Sequence, residues 1–251
     1  MRSSEMIKSA WLAQTARHAD AHTRLFCFPC AGGGASFYRS WKAKLPVEID
    51  VIPICLPGRE QRTAEPAIDN IAGMIPALAD AILPLLDRPF AFFGYSMGGM
   101  IAHHLACRLA GDGHPSPDHL FIAALRGPNI PLRRSPVHSL SSEALWDEIG
   151  RYGGTPQEIL ESAEFKSLLE PSLRADFKLA ETTFSGDQQK LTSAITVFGG
   201  MSDSSPIPEE LEGWREATTG PVKTHLFDGG HFFINMHDNA LLSIIANILD
   251  R

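Results

Sequence analysis

The stretch FAFFGYSMGG, residues 90–99, decides the fold of this chain. Its apolar beginning is typical of a buried strand, and a helical pattern follows Ser96. Between the two lies a GxSxG sequence, in which Gly94 and Gly98 leave room for a sharp strand-to-helix turn. Such a turn exposes the serine hydroxyl at the positive end of the helix. We therefore predict that Ser96 is a nucleophile.

The same alternation of strands and helices extends along the chain. Apolar runs bounded by turn residues predict further strands at residues 24–28, 50–55, 119–125, 194–198 and 223–227. Helical periodicity predicts helices at residues 36–45, 68–86, 97–110, 209–218 and 239–249. Short apolar strands that alternate with helices indicate a mostly parallel sheet with helices on both faces. The predicted class is α/β.

One segment interrupts this alternation. Residues 140–184 contain no convincing strand and show helical pattern at residues 140–151, 156–162 and 164–184. We predict one domain over residues 1–251, with a helical lid inserted at about residues 130–190. A single long helical crossover between two parallel strands is the alternative.

The composition is that of an ordinary globular protein with an acidic balance. Its 22 Lys and Arg stand against 29 Asp and Glu, and the net charge of −7 disfavours binding to nucleic acid or to an anionic membrane. The sequence suggests neither a membrane span nor a signal peptide, so we expect a cytoplasmic protein. It shows no apolar surface stripe that would need a partner, so we expect a monomer. Cys27 and Cys30 form a CxxC, but Cys27 lies in an apolar run and no second ligand pair suits zinc. We expect buried thiols, no metal and no organic cofactor.

A nucleophilic serine needs a histidine base and a carboxylate that orients the base. In the α/β-hydrolase fold the chain order is serine, acid, histidine. His231 follows the last predicted strand after two glycines, and Asp203 follows the strand at residues 194–198, so we predict these two residues as base and acid. The less favoured candidates are His103, His104, His225, His237, Asp187 and Asp228.

An oxyanion formed on the substrate needs two N–H donors. The Met97 N–H, at the start of the helix after Ser96, is the first predicted donor. The second is expected from the glycine-rich loop FPCAGGG, residues 28–34, where we choose the Ala31 N–H and leave the neighbouring amides open. A phosphate-binding role for this loop is disfavoured because GxGxxG and a Walker lysine are absent.

Six motifs together resemble the type II thioesterases, which accompany polyketide synthases and nonribosomal peptide synthetases. They are FPCAGGG (28–34), LPGRE (56–60), FGYSMGG (93–99), LRADF (173–177), FGGMSD (198–203) and DGGHFF (228–233), and the resemblance runs from about residue 24 to the C-terminus. It implies an α/β-hydrolase fold with a helical lid. It also implies a catalytic Ser96, Asp203 and His231, with oxyanion amides at Met97 and Ala31.

The chain departs from the family at two positions. Tyr95 stands where the family commonly has histidine, and Cys30 stands where it commonly has histidine or tyrosine. Both flank the predicted oxyanion region, so we expect the substrate preference to differ while the reaction class stays the same.

The resemblance implies an editing function, hydrolysis of acyl or aminoacyl groups from the phosphopantetheine arm of carrier protein domains. Phosphopantetheine is then part of the substrate. Because carrier proteins are usually acidic, we consider a docking patch of basic residues, with ordinary solvated charges as the alternative. The candidates are Arg59, Arg62, Arg133 and Arg134.

Three other functions share these motifs or this fold. They are a chain-releasing or medium-chain fatty acyl thioesterase, a general esterase or lipase, and a catalytically silent accessory binding protein. No carrier-like segment precedes the first strand, which favours a free-standing editing enzyme. The intact serine, aspartate and histidine argue against the silent protein.

Overall fold

A six-stranded, all-parallel sheet is the centre of the structure, a computed structural model that describes residues 9–13, 21–183 and 189–250. The strand order is β2-β1-β3-β4-β5-β6. All six predicted strands are present, and the α/β prediction is confirmed. The strands are β1 (Thr23–Phe28), β2 (Ile49–Pro53), β3 (Phe90–Tyr95), β4 (His119–Ala123), β5 (Ala194–Gly200) and β6 (Val222–Phe227).

The apolar runs of the central strands are continuous because both faces of the sheet are buried. Phe26 on β1 pairs in register with Phe92 on β3, and both side chains join the apolar cluster on one face. Their neighbours Cys27 and Phe93 join the cluster on the opposite face. Successive side chains of a strand point to opposite faces, so a strand covered on both sides needs apolar residues at every position.

Helices cover the two faces. Apolar residues of α2 (Ile71–Ile82) and α3 (Met97–Gly111) belong to one cluster, and those of α1 (Trp41–Lys44) and α8 (Ile234–Leu249) belong to the other. The helix predicted at residues 68–86 begins at Ile71 because the Asn70 side chain accepts the Gly73 N–H at 2.9 Å and caps it.

Two other predicted helices are shorter than expected. Residues 36–45 form a 3₁₀ turn (Ala35–Tyr38) followed by the single turn of α1, and residues 209–218 form α7 (Pro208–Leu211) followed by a 3₁₀ turn (Glu212–Glu216). In contrast, α8 begins five residues earlier than predicted, at Ile234. Helix ends depend on local capping and packing more than on periodicity.

Between β4 and β5 the chain forms a helical insertion of three helices, α4 (Ser142–Tyr152), α5 (Gln157–Glu161) and α6 (Ala163–Thr182). The side chains of Ser141 and Ser162 cap α4 and α6. The insertion has a small apolar cluster of its own, and α6 also contacts α3. Residues 184–188, which include the predicted end of the last helix, lie outside the described residues.

The cysteines are free thiols, and all four are buried. Burial raises the pKa of Cys30 to about 12, and it raises the pKa of Cys27 as well, so both are neutral at ordinary pH. The prediction of a buried, non-redox CxxC agrees with this environment. Within the described ranges, no cluster of His, Cys, Asp and Glu is suited to a metal ion. No helix in those ranges is long and apolar enough to cross a membrane.

Candidate active site

Ser96 lies at the turn between β3 and α3, with φ 51° and ψ −117°. This strained backbone is possible because the flanking glycines allow very close approach of neighbouring segments. A Cβ on Gly94 would lie 2.4 Å from the Gly98 carbonyl oxygen, and a Cβ on Gly98 would lie 2.1 Å from the Phe28 carbonyl oxygen. The GxSxG pattern therefore brings the start of α3 directly against the end of β1.

His231 and Asp203 reach Ser96 from the ends of two other strands. His231 Nε2 lies 3.2 Å from Ser96 Oγ, and His231 Nδ1 lies 2.9 Å from Asp203 Oδ2. The second carboxylate oxygen of Asp203 accepts the Ser205 N–H at 2.9 Å, which holds the carboxylate in place. A proton on Nδ1 that faces the carboxylate leaves Nε2 free to accept from the serine. The three residues come together because the carboxyl ends of parallel strands lie at one edge of the sheet.

Tyr95 supports the loop that carries His231. Its side chain is fully buried, and its hydroxyl donates to the His231 carbonyl oxygen. Tyr95 is not among the residues that line the cavity at Ser96, whereas Cys30 is. The structure therefore links Tyr95 to the placement of the histidine rather than to contact with a substrate.

The other histidines and carboxylates that competed for these roles lie elsewhere. His103 and His104 are buried on α3, and burial lowers the pKa of His103 to about 3 and that of His104 to about 4. Asp228 is exposed, and its carbonyl oxygen faces the His237 ring. Asp187 lies outside the described residues.

Two backbone amides face the same region as Ser96. Ala31 and Met97 both line the cavity that contains Ser96 and His231. In the part of the chain that the structure describes, neither the Ala31 N–H nor the Met97 N–H has a hydrogen-bond acceptor. Two neighbouring amides of the same loop are occupied, since Gly32 donates to Asp176 and Gly33 to the Cys30 carbonyl. The Ala31 and Met97 amides therefore stay the predicted oxyanion donors.

A buried ion pair, which sequence reasoning missed, holds this loop. The Arg59 guanidinium makes a bidentate contact of 2.6 Å and 2.6 Å with the Asp176 carboxylate, which is 1% exposed. Asp176 also accepts the Gly32 N–H at 2.8 Å, and Arg59 donates to the Gly33 carbonyl at 3.1 Å. The pair therefore joins α6 to the loop at residues 28–34. The signal was present in the motifs LPGRE and LRADF, which contain the two residues.

We expect Asp176→Ala to destabilise the protein by about 3–5 kcal/mol, because it leaves the Arg59 charge buried without a partner. The measurement is the midpoint of urea unfolding. Lys178→Ala is the matched control, since Lys178 lies on the same helix and pairs with Asp69 at 2.6 Å, but with side chains 50% and 38% exposed. The control is expected to change stability by about 0–1 kcal/mol. Equal effects of the two substitutions would contradict the prediction.

A cavity of about 450 Å³ opens at Ser96, between the strand ends and the helical insertion. Its lining is mostly apolar, and the insertion supplies much of it. The apolar residues from the insertion and its approach include Leu132, Trp146, Ile149, Ile159, Leu169 and Leu173. Such a cavity suits a small, largely apolar group held next to the serine.

The hypothesis of a docking patch made of Arg59, Arg62, Arg133 and Arg134 is wrong for the first two residues. Their side chains are only 10% and 8% exposed, and they pair with Asp176 and Glu65. Arg133 is 66% exposed and pairs with Glu210, whereas Arg134 lines the cavity. Whether an arginine reaches the surface depends on which carboxylate the fold places beside it, and the sequence alone does not reveal this.

Comparison with known proteins agrees with this geometry. Residues 23–249 match the family model described as a thioesterase domain. The chain is 38% identical over 224 residues to the gramicidin S biosynthesis protein GrsT of Aneurinibacillus migulanus, covering 89% of this chain and 88% of that protein. It is 32% identical over 232 residues to the medium-chain S-acyl fatty acid synthase thioesterase of Homo sapiens, covering 87% and 83%.

The solved structures lead to the same family. The RedJ thioesterase from the prodiginine biosynthetic pathway of Streptomyces coelicolor superposes with a TM-score of 0.86 at 34% identity, over 96% of this chain and 93% of that one. Fold, motifs and site geometry are thus all those of one family. The chain belongs to the thioesterase family of the α/β-hydrolase fold, among the type II thioesterases of nonribosomal peptide and polyketide biosynthesis.

Proposed function

We propose that this protein is an editing thioesterase that hydrolyses acyl or aminoacyl groups from the phosphopantetheine arm of carrier protein domains. Ser96 is the nucleophile, His231 the general base and Asp203 the orienting acid. The observation that carries the proposal is the continuous contact from Asp203 Oδ2 through His231 to Ser96 Oγ, at 2.9 Å and 3.2 Å. It lies at the floor of a cavity suited to an acyl group.

In the first half of the reaction the acyl group moves to the enzyme. Ser96 Oγ attacks the thioester carbonyl carbon while His231 Nε2 takes the hydroxyl proton, and Asp203 stabilises the imidazolium that forms. The carbonyl oxygen becomes an oxyanion that accepts hydrogen bonds from the Met97 and Ala31 amides. As the carbon–sulfur bond breaks, His231 returns the proton to the sulfur. The products are the acyl-serine ester and the free phosphopantetheine thiol.

Water completes the cycle in the second half. It gives a proton to His231 Nε2 and attacks the ester carbonyl, which again forms an oxyanion at the two amides. Collapse breaks the bond to Ser96 Oγ, which regains its proton from His231, and a carboxylic acid is released. No metal or organic cofactor takes part in either half of this proposed reaction.

The helical insertion is proposed as a lid within one domain spanning the chain. It supplies one wall of the cavity and contacts the loop at residues 28–34 through Asp176. A lid of this kind would enclose the acyl group beside Ser96 while the reaction takes place. We also retain the expectation of a monomer and of a cytoplasmic location, and four free thiols agree with that location.

A medium-chain fatty acyl thioesterase is the second candidate. It is favoured by the similarity to the human medium-chain enzyme and by the apolar lining of the cavity. The two functions differ in the length of acyl group that is hydrolysed fastest, and in the carrier that bears it.

The test compares hydrolysis of acetyl-, aminoacyl- and long-acyl-carrier proteins with hydrolysis of matched oxoesters. We expect broad release of short acyl groups and a lower rate on the oxoesters. A strong preference for medium-length alkyl chains would favour the medium-chain enzyme instead. Activity confined to oxoesters would contradict both functions, and failure of a fluorophosphonate to label Ser96 would favour the silent binding protein.

A further inference from the structure

One end of the cavity is polar, and the reaction as proposed does not use it. This polar end is formed by Arg126, Arg134 and Glu181, which line the same cavity as Ser96. Arg126 follows the end of β4, the strand next to the one that leads to Ser96, and Glu181 lies near the end of α6. A cavity meant only for an alkyl chain has no need of two arginines, because burying a cation without a partner is unfavourable.

Arg134 has N–H groups without acceptors. Its guanidinium carbon lies 5.4 Å from the ring centroid of Tyr152, and that ring is 5.2 Å from the ring of His231. Arg134 Nη2 is 3.5 Å from Glu181, and Nη1 is 4.0 Å from Glu148. In the described parts of the chain, its Nε and Nη1 are buried and have no hydrogen-bond partner. The ring of Tyr152 therefore lies between these donors and His231, the proposed base.

Arg126 is also left with spare donors. Its Nε donates to the Ile130 carbonyl at 2.9 Å, and within the described ranges its two terminal nitrogens make no hydrogen bond. Burial lowers the pKa of Arg126, and the charge of Arg134 acts in the same direction, while Glu210 and Glu181 oppose them without reversing the shift. The carboxylates nearby thus compensate the charge of this arginine incompletely.

Both carboxylates already accept from other donors. Glu181 accepts the Val137 N–H at 2.8 Å and the His138 N–H at 3.1 Å, and it faces His138 Nδ1 at 2.8 Å. Glu210 accepts the Ile207 N–H at 3.1 Å and pairs with Arg133 at 2.8 Å. Glu181 also pairs with Arg134 Nη2 at 3.5 Å, which leaves Nε and Nη1 of Arg134 and the two terminal nitrogens of Arg126 without a hydrogen-bond acceptor among the described residues. A buried charged donor that lacks an acceptor is costly, so an oxygen acceptor from a ligand would be bound strongly.

We propose that the polar end binds a carboxylate at the far end of the acyl group, so that the enzyme prefers thioesters of dicarboxylic acids to alkyl thioesters of the same length. The inference rests on the proposed thioesterase function. Arg134 and Arg126 are then specificity-determining residues. The amide carbonyls of the pantetheine arm offer the same acceptor chemistry, and the experiment below separates the two sources.

The test uses N-acetylcysteamine thioesters of malonic, succinic, glutaric and adipic acids, each beside the alkyl thioester of equal chain length. For at least one length we expect the wild-type kcat/KM to be about 10-fold or more higher for the carboxylated substrate. Arg134→Met should lower kcat/KM for that substrate by about 10- to 100-fold, as expected for loss of a charged hydrogen bond. It should change kcat/KM for the alkyl substrate by less than about 3-fold. Arg126→Met should act in the same direction, and Arg134→Lys should restore part of the loss.

Arg133→Met is the matched control, because Arg133 is the exposed neighbour of Arg134 and pairs outside the cavity. This variant should leave unchanged the ratio of kcat/KM for the carboxylated substrate to kcat/KM for the alkyl substrate. A second measurement is independent of turnover, namely calorimetric binding of the preferred carboxylated thioester to Ser96→Ala with and without Arg134→Met. The proposal is supported if the carboxylated thioester binds more weakly to the variant with both substitutions than to Ser96→Ala alone.

The proposal is overturned if no carboxylated thioester is preferred at any length. It is also overturned if Arg134→Met lowers kcat/KM equally for the carboxylated and the alkyl substrate. It is also overturned if the loss appears with pantetheine thioesters of every acyl group and not with N-acetylcysteamine thioesters, because the arginines would then bind the arm. Failure of the thioesterase function itself looks different. In that case no thioester is hydrolysed in a reaction that depends on Ser96.

Discussion

Ser96→Ala is expected to lower kcat for acyl-carrier hydrolysis by about 10⁶-fold, the largest effect of any substitution considered. The reason is that alanine lacks the hydroxyl that lies 3.2 Å from His231 Nε2, so the enzyme has no nucleophile and no acyl-enzyme ester can form. Substrate binding should change little, since removal of a hydroxyl leaves the cavity walls intact. The measurement is single-turnover hydrolysis, with intact-protein mass spectrometry to detect the acylated serine.

Ser204→Ala is the control for this loss, since Ser204 is an exposed serine beside Asp203. It should retain wild-type activity and full acylation by a fluorophosphonate. If Ser96→Ala kept more than about one thousandth of the wild-type rate, a different nucleophile would be at work, since residual catalysis from oxyanion binding alone is far smaller.

Asp203→Asn is expected to lower kcat by about 10⁴-fold with little change in KM. Asp203 is 5% exposed and faces His231 Nδ1 at 2.9 Å, so the carboxylate selects the tautomer that keeps Nε2 as an acceptor. An asparagine amide can donate to Nδ1 instead, which moves the ring proton to Nε2 and prevents it from accepting the serine proton. Steady-state kinetics on a small acyl thioester measure the effect.

Asp228→Asn is the matched control for the orienting acid. Asp228 lies three residues before His231 but is exposed, and its interaction with His237 uses the backbone carbonyl. This variant should keep wild-type kinetics. A loss in Asp228→Asn as large as that in Asp203→Asn would mean that the acid was assigned to the wrong residue.

The sheet and the turn at Ser96 could be predicted because both are local properties of the chain. A strand that is buried on two faces must be apolar at nearly every position, and the central strand β3 shows such a run, whereas the edge strand β6 is more polar and more exposed. The turn needs glycines at fixed distances from the serine, and positions 94 and 98 have no space for a Cβ. Helix ends were predicted less well, because capping at Asn70 and packing of α8 set them.

The sequence predicted which residues would meet Ser96 because chain order along a parallel sheet restricts the choice. Asp203 and His231 each follow a strand, and the ends of parallel strands lie at one edge. The Met97 amide was predicted from its place at the start of the helix after Ser96, the Ala31 amide from the glycine-rich loop after the first strand, and both from resemblance to the family. The catalytic roles of all five residues are the proposals that the variants above test.

The ion pairs and the polar end of the cavity were decided by the tertiary structure alone. Arg59 and Asp176 are 117 positions apart, and Arg134 lies beside an arginine that was predicted to share its surface but pairs outside the cavity. Periodicity and composition describe one segment at a time. The partner of a charged side chain, by contrast, depends on which segments the fold brings together and how far water is excluded between them. By itself the sequence therefore determined the fold and the candidates for catalysis, and the tertiary structure decided which charges hold the loop at residues 28–34 and which line the cavity at Ser96.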